Sequence, residues 1–192
     1  MKAAAALVAA AVFKARSDHK GETMVQEFLV LVLVPAALIA AAGWDIASFT
    51  IPNFLQAVLL AGFAVFVIAT GMPLSALGWH FVAAAIGLAI GFALFAAGLV
   101  GGGDAKLFAC VALWFGFPDL FSYAVIASVF GGALTLLLIG FRHLPLPQFL
   151  AAQTWLARLH DHKSGVPYGV ALASGAFAVL PYTDVFRAGL AG

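Results

Sequence analysis

Charge is what this sequence has least of. Only 9% of its 192 residues are Asp, Glu, Lys or Arg, whereas a soluble domain averages about 25%. Between residues 46 and 103 none of these four residue types occurs. Hydrophobic residues make up 65% of the chain, and charge-free runs of this length are typical of transmembrane helices. The composition therefore excludes a soluble globular protein and predicts an all-α polytopic membrane protein.

Cysteine is almost absent as well. Cys110 is the only one, which excludes an internal disulfide, a cysteine-based zinc cluster and a CxxC redox pair. We expect Cys110 to be a small apolar residue inside a helix. The net charge of +1, without a basic stripe interleaved with aromatics, gives no sign of a nucleic-acid partner. His143, His160 and His162 lie in a polar segment without a carboxylate at helical spacing, so we predict a solvated loop, no metal and no cofactor.

Six apolar segments predict about six transmembrane helices. They are separated by turn signals such as Gly71-Met72-Pro73 and Pro118-Asp119, and they cover residues 28–43, 54–70, 79–100, 107–117, 123–141 and 165–180. A polar connector follows the fifth segment, and its residues 148–160 are compatible with an amphipathic helix on the membrane surface. His80, beside Trp79, is expected to be an interfacial residue.

Residues 1–23 form an N-terminal extension of uncertain status. A charged start and a short alanine-rich run resemble a signal peptide, but no clear cleavage site follows. Two interpretations stay open: translation starts at Met24, or residues 3–13 insert as an extra membrane segment. Residues 24–192 are predicted to form a single membrane-embedded domain, because neither a repeat nor a linker divides them.

Two aspartates bracket the long uncharged run. Asp45 precedes it, and Asp104 closes it directly after Gly101-Gly102-Gly103. An aspartate at membrane depth costs about 2.5–3.5 kcal/mol on insertion scales and marks a functional site by default. The glycines leave the backbone free and remove side-chain bulk beside the second acid.

Alternation of the six segments places both acids on one face of the membrane. Asp45 follows the first segment and Asp104 the third, and odd-numbered segments exit on the same side. Counted from the first segment, that face holds four cations and the opposite face one: Lys106, Arg142, Arg158 and Lys163 against Arg187. The positive-inside rule therefore predicts that the acids face the cytoplasm. The four cations of residues 1–23 argue for the reverse orientation, and that conflict stays open.

Two neighbouring carboxylates favour acid–base chemistry. Both cannot ionise comfortably, so the pair shares a proton, and one member can deprotonate a water while the other protonates a carbonyl oxygen. The alternative is structural: Asp104 would cap a helix beginning at Ala105, and Asp45 would cap the second helix or lie solvated at the interface.

The two aspartates and two further motifs occur in a characteristic order. Asp45 is followed by Ile51-Pro52-Asn53, then by Gly101-x-Gly103-Asp104-Ala105-Lys106 after two segments, and finally by Pro167-Tyr168-Gly169. This ordered set, over roughly residues 28 to 182, resembles the type IV prepilin peptidases. It is most similar to their short CpaA/TadV branch, which serves Flp/Tad pili.

The resemblance implies an aspartic endopeptidase of the bacterial inner membrane that removes the leader of prepilins at the cytoplasmic face. It assigns Asp45 and Asp104 as the catalytic pair and Gly101 and Gly103 as glycines that shape the site. Lys106 would tune charge or meet substrate. Two motifs would position helices: Ile51-Pro52-Asn53 and Pro167-Tyr168-Gly169. The implied partners are a prepilin and the lipid bilayer, and a homo-oligomer is left open.

Two departures and two rivals qualify this interpretation. Residues 46–50 lack the basic residues that many relatives carry, and no cysteine-rich methyltransferase region is present, so cleavage without N-methylation is predicted. One rival is another GxGD intramembrane protease, of the preflagellin-peptidase or signal-peptide-peptidase kind, although presenilin-type enzymes carry a Tyr-Asp where this chain has Trp44-Asp45. The other is a small ion or solute transporter that uses the same two aspartates.

Overall fold

The computed structural model describes residues 21–190, and these residues fold into helices without a β-strand. Most of the predicted extension, residues 1–20, lies outside the described residues. The helices are α1 Gly21–Ser48, α2 Asn53–Thr70, α3 Leu74–Ala96, α4 Gly102–His143, α5 Gln148–Ala151, α6 Thr154–His160, α7 Tyr168–Val179 and α8 Asp184–Leu190, with a 3₁₀ turn at Leu180–Tyr182. The all-α class predicted from composition is confirmed.

Local chemistry explains where the first helices bend and end. α1 contains a π-helical turn at Leu29–Leu33, directly before Pro35, whose ring would clash with the preceding turn of a regular helix. α1 stops where Phe49 adopts a left-handed conformation with φ 54°. α2 ends at Gly71, with φ 59°, a conformation that glycine adopts without strain.

α4 is broken at Gly116, where φ is 75° and ψ 178°. With 42 residues it would be roughly 63 Å long if straight, twice the thickness of a hydrocarbon core. The ring of Phe108, before the break, stacks on that of Tyr123, after it, with 5.0 Å between centroids. The two halves of α4 therefore lie side by side.

By length and composition, four of the described helices could cross a membrane, namely α1 to α4. The count becomes five if α7 with its 3₁₀ turn and α8, bent by 57°, form one broken span. The polytopic class is thus confirmed, with four or five candidate spans beside the expected count of about six. This count takes α4 as one helix, although its two halves cover the two segments predicted at 107–117 and 123–141 and lie side by side.

Small residues allow the helices to pack closely. A Cβ added at Gly91 of α3 would lie 2.8 Å from Cα of Ala105, and one at Gly175 of α7 would lie 2.7 Å from Cα of Ala127. Trp114 belongs to the hydrophobic core and is almost fully buried, and its indole N–H donates to the Leu59 carbonyl over 2.9 Å. α4 consequently packs on α2, α3 and α7.

The connector between α4 and α7 is more broken than expected. The predicted amphipathic helix at 148–160 is split into α5 and α6. Arg142 fixes this connector, because its guanidinium donates to the carbonyls of Leu159, Ser164 and Gly165 over 2.8–3.0 Å. These contacts hold the chain just before the start of α7.

Candidate active site

Asp45 lies one turn before the end of α1 and is 3% exposed. Its backbone carbonyl accepts the N–H of Phe49 over 2.8 Å, the contact that closes the helix. The left-handed turn at Phe49 then sends the chain towards Ile51 and α2. Asp45 is therefore a buried carboxylate at the end of a membrane helix.

Asp104 lies in the first turn of α4 and is 7% exposed. Its Oδ2 accepts the N–H of Gly101 over 3.0 Å, so the side chain caps its own helix, which begins at Gly102 and not at Ala105. Its Oδ1 is buried without a hydrogen-bond partner in the described structure. Capping therefore accounts for one oxygen and leaves the other unexplained.

The first turn of α7 brings the two acids together. The N–H of Gly169 donates to Oδ2 of Asp45 over 2.6 Å, in a fully buried contact. The same N–H faces the carboxylate of Asp104, and the two acids are near enough to interact electrostatically. The first N–H groups of a helix have no partner within it and favour negative charge. The start of α7 is thus an anion-binding position that holds Asp45 close to Asp104.

Ile51 packs between the glycines of the other two motifs. A Cβ added at Gly103 would lie 3.2 Å from both Cβ and N of Ile51, and one at Gly169 would lie 2.8 Å from its Cδ1. Gly169 is tighter still, since the same Cβ would lie 2.8 Å from Oδ2 of Asp45. Gly169 therefore has no room for a side chain beside Asp45, whereas a side chain at Gly103 would require Ile51 to shift slightly.

The remaining predicted residues lie around this centre. Pro52 and Pro167 directly precede α2 and α7 with non-helical backbone angles, and Pro167 is fully buried. Tyr168 packs its ring against Gly131 of α4. Lys106 is exposed and donates from Nζ to Oδ1 of Asn53 over 3.0 Å. Lys106 therefore connects α4 to α2, and no contact links it to either carboxylate.

A metal centre finds no support in the part of the chain that the structure describes. Residues 21–190 contain no cluster of three His, Cys, Asp or Glu side chains arranged to hold an ion. Among the connector histidines, His160 approaches the Leu144 carbonyl over 2.8 Å, and the rings of His143 and His162 are 5.8 Å apart. Cys110 is buried in α4, as predicted.

Some contacts that shape the site were not predicted. The N–H of Gly169 carries the Asp45 contact, although the motif suggested only a helix position. Arg142 was counted as a surface cation but ties down the connector. His80, expected at the membrane interface, is half-buried, and its Nδ1 lies 2.7 Å from the Leu113 carbonyl, beside the break at Gly116. Of these contacts, only that of Gly169 had a signal in the sequence. Pro-Tyr-Gly predicts a helix start, where the backbone N–H groups have no partner within the helix.

The helices are long and apolar enough to cross a membrane, and two buried carboxylates lie close together at one end of the bundle. The protein is therefore a polytopic membrane protein with a buried pair of acids. A model of the Type IV leader peptidase family matches residues 32–136, more than half of the chain, and this stretch includes both aspartates. The chain belongs to that family and is a membrane peptidase. Comparison with curated proteins and with solved structures gave no match.

Proposed function

We propose that this peptidase is an aspartic endopeptidase that removes the leader of type IV prepilins, of the Flp/Tad kind served by the CpaA/TadV branch, without N-methylating the product. The observation that carries the proposal is the meeting of Asp45 and Asp104 at the N–H of Gly169, from three distant parts of the chain. Two adjacent buried carboxylates are the arrangement that aspartic proteases use.

The pair would work by sharing one proton. The ionised carboxylate takes a proton from water, whose oxygen adds to the scissile carbonyl carbon, while the protonated partner donates to the carbonyl oxygen. Collapse of the tetrahedral intermediate breaks the C–N bond, and the amine leaves with the proton first taken from water. One hydroxyl proton of the intermediate returns to the partner carboxylate, which restores the shared proton. Oδ1 of Asp104 makes no hydrogen bond in the described structure, so an acceptor position is left on it for that water.

The proposed orientation puts the acids at the cytoplasmic face of the inner membrane. Lys106 follows Asp104 in the first turns of α4, and Arg142 ends the same helix after it has folded back. Arg158 and Lys163 belong to the connector that follows. Together these cations satisfy the positive-inside rule at the end of the bundle that holds the carboxylates. Residues 24–192 would act as one domain.

A processing assay tests the proposal. Membranes containing the wild-type chain, Asp45→Asn or Asp104→Asn are incubated with a Flp-type prepilin, and leader loss is followed by mass shift. Asparagine keeps the shape of the side chain but cannot accept or deliver the proton. We expect cleavage by the wild type and a loss of at least about 10³-fold in both variants, as for other groups that act as a catalytic unit.

Asp119→Asn is the matched control. Asp119 is another partly buried acid of α4, near Asp184 and Arg187 of α8 instead of the acid pair. This variant should cleave at the wild-type rate. Processing that survives in the Asp45 and Asp104 variants would end the protease mechanism. Proton or solute movement by a wild type that cuts nothing would favour a transporter.

A further inference from the structure

Two buried polar atoms in the described part of the chain make no hydrogen bond. Among the side-chain oxygens and nitrogens of residues 21–190, these are Oδ1 of Asp104 and the hydroxyl of Tyr123. A phenol hydroxyl donates one proton and a carboxylate oxygen accepts, so the two atoms are complementary. Buried polar atoms are almost always paired, and an unpaired one therefore points to a partner such as an ordered water.

The fold places Tyr123 beside Asp104. The break at Gly116 turns the second half of α4 back along the first half. The ring of Tyr123 then stacks on Phe108, one turn after Asp104, and meets Phe115 edge-on at 5.3 Å between centroids. Tyr123 is fully buried and is near enough to Asp104 to interact with it electrostatically. Rotation of a phenol ring about its own axis leaves the para oxygen in place, so the two ring contacts hold the hydroxyl in position.

The backbone does not distinguish the two acids of the site. Asp45 and Asp104 each face two backbone N–H groups, one of which is that of Gly169. One further donor on either acid would decide which carboxylate stays ionised, because a hydrogen bond to the charged form favours that form. The hydroxyl of Tyr123 is a buried donor that no other contact engages.

We propose that Tyr123 is a positioning residue that donates, through one buried water, to Oδ1 of Asp104 and keeps this acid ionised while Asp45 carries the shared proton. The inference rests on the proposed function, and it assigns the roles within the pair. Asp104 takes the proton from the attacking water, and Asp45 protonates the scissile carbonyl oxygen.

A water is the bridge because neither atom lies within hydrogen-bond distance of the other. A bridging water is enthalpically nearly as favourable as a direct hydrogen bond. A carboxylate oxygen has two acceptor positions, so the bridging water and the attacking water can bind Oδ1 of Asp104 together.

Cys110 is the other titratable group that interacts with Tyr123 among the described residues. Its thiol is a weak donor and a weak acceptor, and no hydrogen bond joins it to the hydroxyl. A thiol partner would leave Oδ1 of Asp104 unpaired, whereas a water between the hydroxyl and the carboxylate satisfies both atoms. The carboxylate is therefore the better partner for Tyr123.

The pH dependence of leader removal tests the assignment. Tyr123→Phe keeps both ring contacts and removes the hydroxyl. Without this donor Asp104 is protonated more easily, so the acid limb of kcat/KM should move by about one unit to higher pH. The alkaline limb should stay in place, because Asp104 is ionised on both sides of that step. Below the acid limb the rate should fall about tenfold, and on the plateau it should change little.

Two outcomes of this measurement contradict the assignment. A shift of the alkaline limb alone would make Asp45 the ionised acid, and an equal loss of rate at every pH would make Tyr123 a structural residue. Either result overturns the proposal.

Cys110→Ala and Tyr182→Phe are the matched controls. Cys110→Ala changes the other neighbour of the hydroxyl, and Tyr182→Phe removes an exposed hydroxyl from the 3₁₀ turn after α7. Both variants should keep the wild-type pH profile. If Cys110→Ala moves the acid limb as far as Tyr123→Phe does, the shift comes from packing and the proposal is overturned.

Thermal unfolding in detergent tests the contact without cleavage. If the hydroxyl has no partner, Tyr123→Phe removes a buried unsatisfied group and raises the melting temperature. We expect instead a fall of a few degrees, which should shrink by about half in the Asp104→Asn chain, because a neutral acceptor bonds about half as strongly as a charged one. A raised melting temperature, or an equal fall in both chains, overturns the contact. A chain that shows this coupling but cuts no prepilin would refute the proposed function and leave the contact between Tyr123 and Asp104 standing.

Discussion

Oδ2 of Asp45 accepts a hydrogen bond of 2.6 Å from the N–H of Gly169, although 124 residues separate the two in the chain. This contact joins the end of α1 to the start of α7. Ile51 contacts both Gly169 and Gly103, so the same small volume also fixes the first turn of α4. Gly169 therefore contacts Asp45 directly and is connected through Ile51 to the turn that carries Asp104.

Gly169→Ala should impair catalysis more than folding. The added methyl group would lie 2.8 Å from Oδ2 of Asp45 and from Cδ1 of Ile51, so the carboxylate or the helix must move. A displacement of about 1 Å at a catalytic group can cost about 10²-fold in rate. We expect kcat for leader removal to fall by about that factor while the melting temperature in detergent changes by a few degrees.

Gly165→Ala is the control for this substitution. Gly165 lies four residues earlier, in the connector that leads to α7, and an added Cβ there would meet no atom within 4 Å. Its kcat should equal that of the wild type. If both alanine variants lose activity equally, the connector as a whole is sensitive and the Asp45 contact has no special role.

Lys106 should act through Asn53 and not through the substrate. Its Nζ donates to Oδ1 of Asn53 over 3.0 Å at an exposed site, where such a contact contributes about 0.5–1 kcal/mol. Lys106→Met, Asn53→Ala and the double variant should therefore have similar free energies of unfolding, each slightly below the wild type, in a double-mutant cycle. If KM rises in Lys106→Met but not in Asn53→Ala, Lys106 contacts the substrate.

Apolar periodicity and turn residues were enough to predict the second membrane helix. The expected range of 54–70 differs by one residue from α2, because proline before the helix and glycine after it have unambiguous backbone preferences. The motifs also singled out Asp45 and Asp104, since charge is costly in such a sequence, and both side chains are buried at the start of α7 or close to it. Their catalytic role stays a prediction.

The break in α4 could be predicted only approximately. Pro118 indicated a break, but proline is tolerated in the first turn of a helix, and the chain in fact turns two residues earlier at Gly116. The sequence does not show whether a glycine within a helical segment adopts a positive φ. The contact of His80 with Leu113 and the grip of Arg142 on the connector were not predictable, because they join segments 17 to 33 residues apart.

Arg142→Lys should loosen the connector that leads to α7 and so positions Gly169. The planar guanidinium reaches three carbonyls at once, of Leu159, Ser164 and Gly165, whereas an ammonium group cannot reproduce this fork. We expect faster proteolysis within residues 144–166 and a several-fold lower kcat with KM nearly unchanged. Arg158→Lys, an exposed cation of α6, is the matched control and should behave as the wild type. Equal protease sensitivity of the two variants would remove this role from Arg142.

Gly116→Ala should destabilise the whole bundle. Its φ of 75° is strained for any residue with a Cβ, and an added methyl group would lie 3.0 Å from the His80 ring. Such backbone strain costs about 1–3 kcal/mol, and relief by straightening α4 would separate the stacked rings of Phe108 and Tyr123. Thermal unfolding in detergent measures the loss. Gly140→Ala, in the same helix with open space around it, should be neutral or stabilising by up to about 1 kcal/mol. Equal melting temperatures for the two variants would show that α4 does not depend on the turn at Gly116.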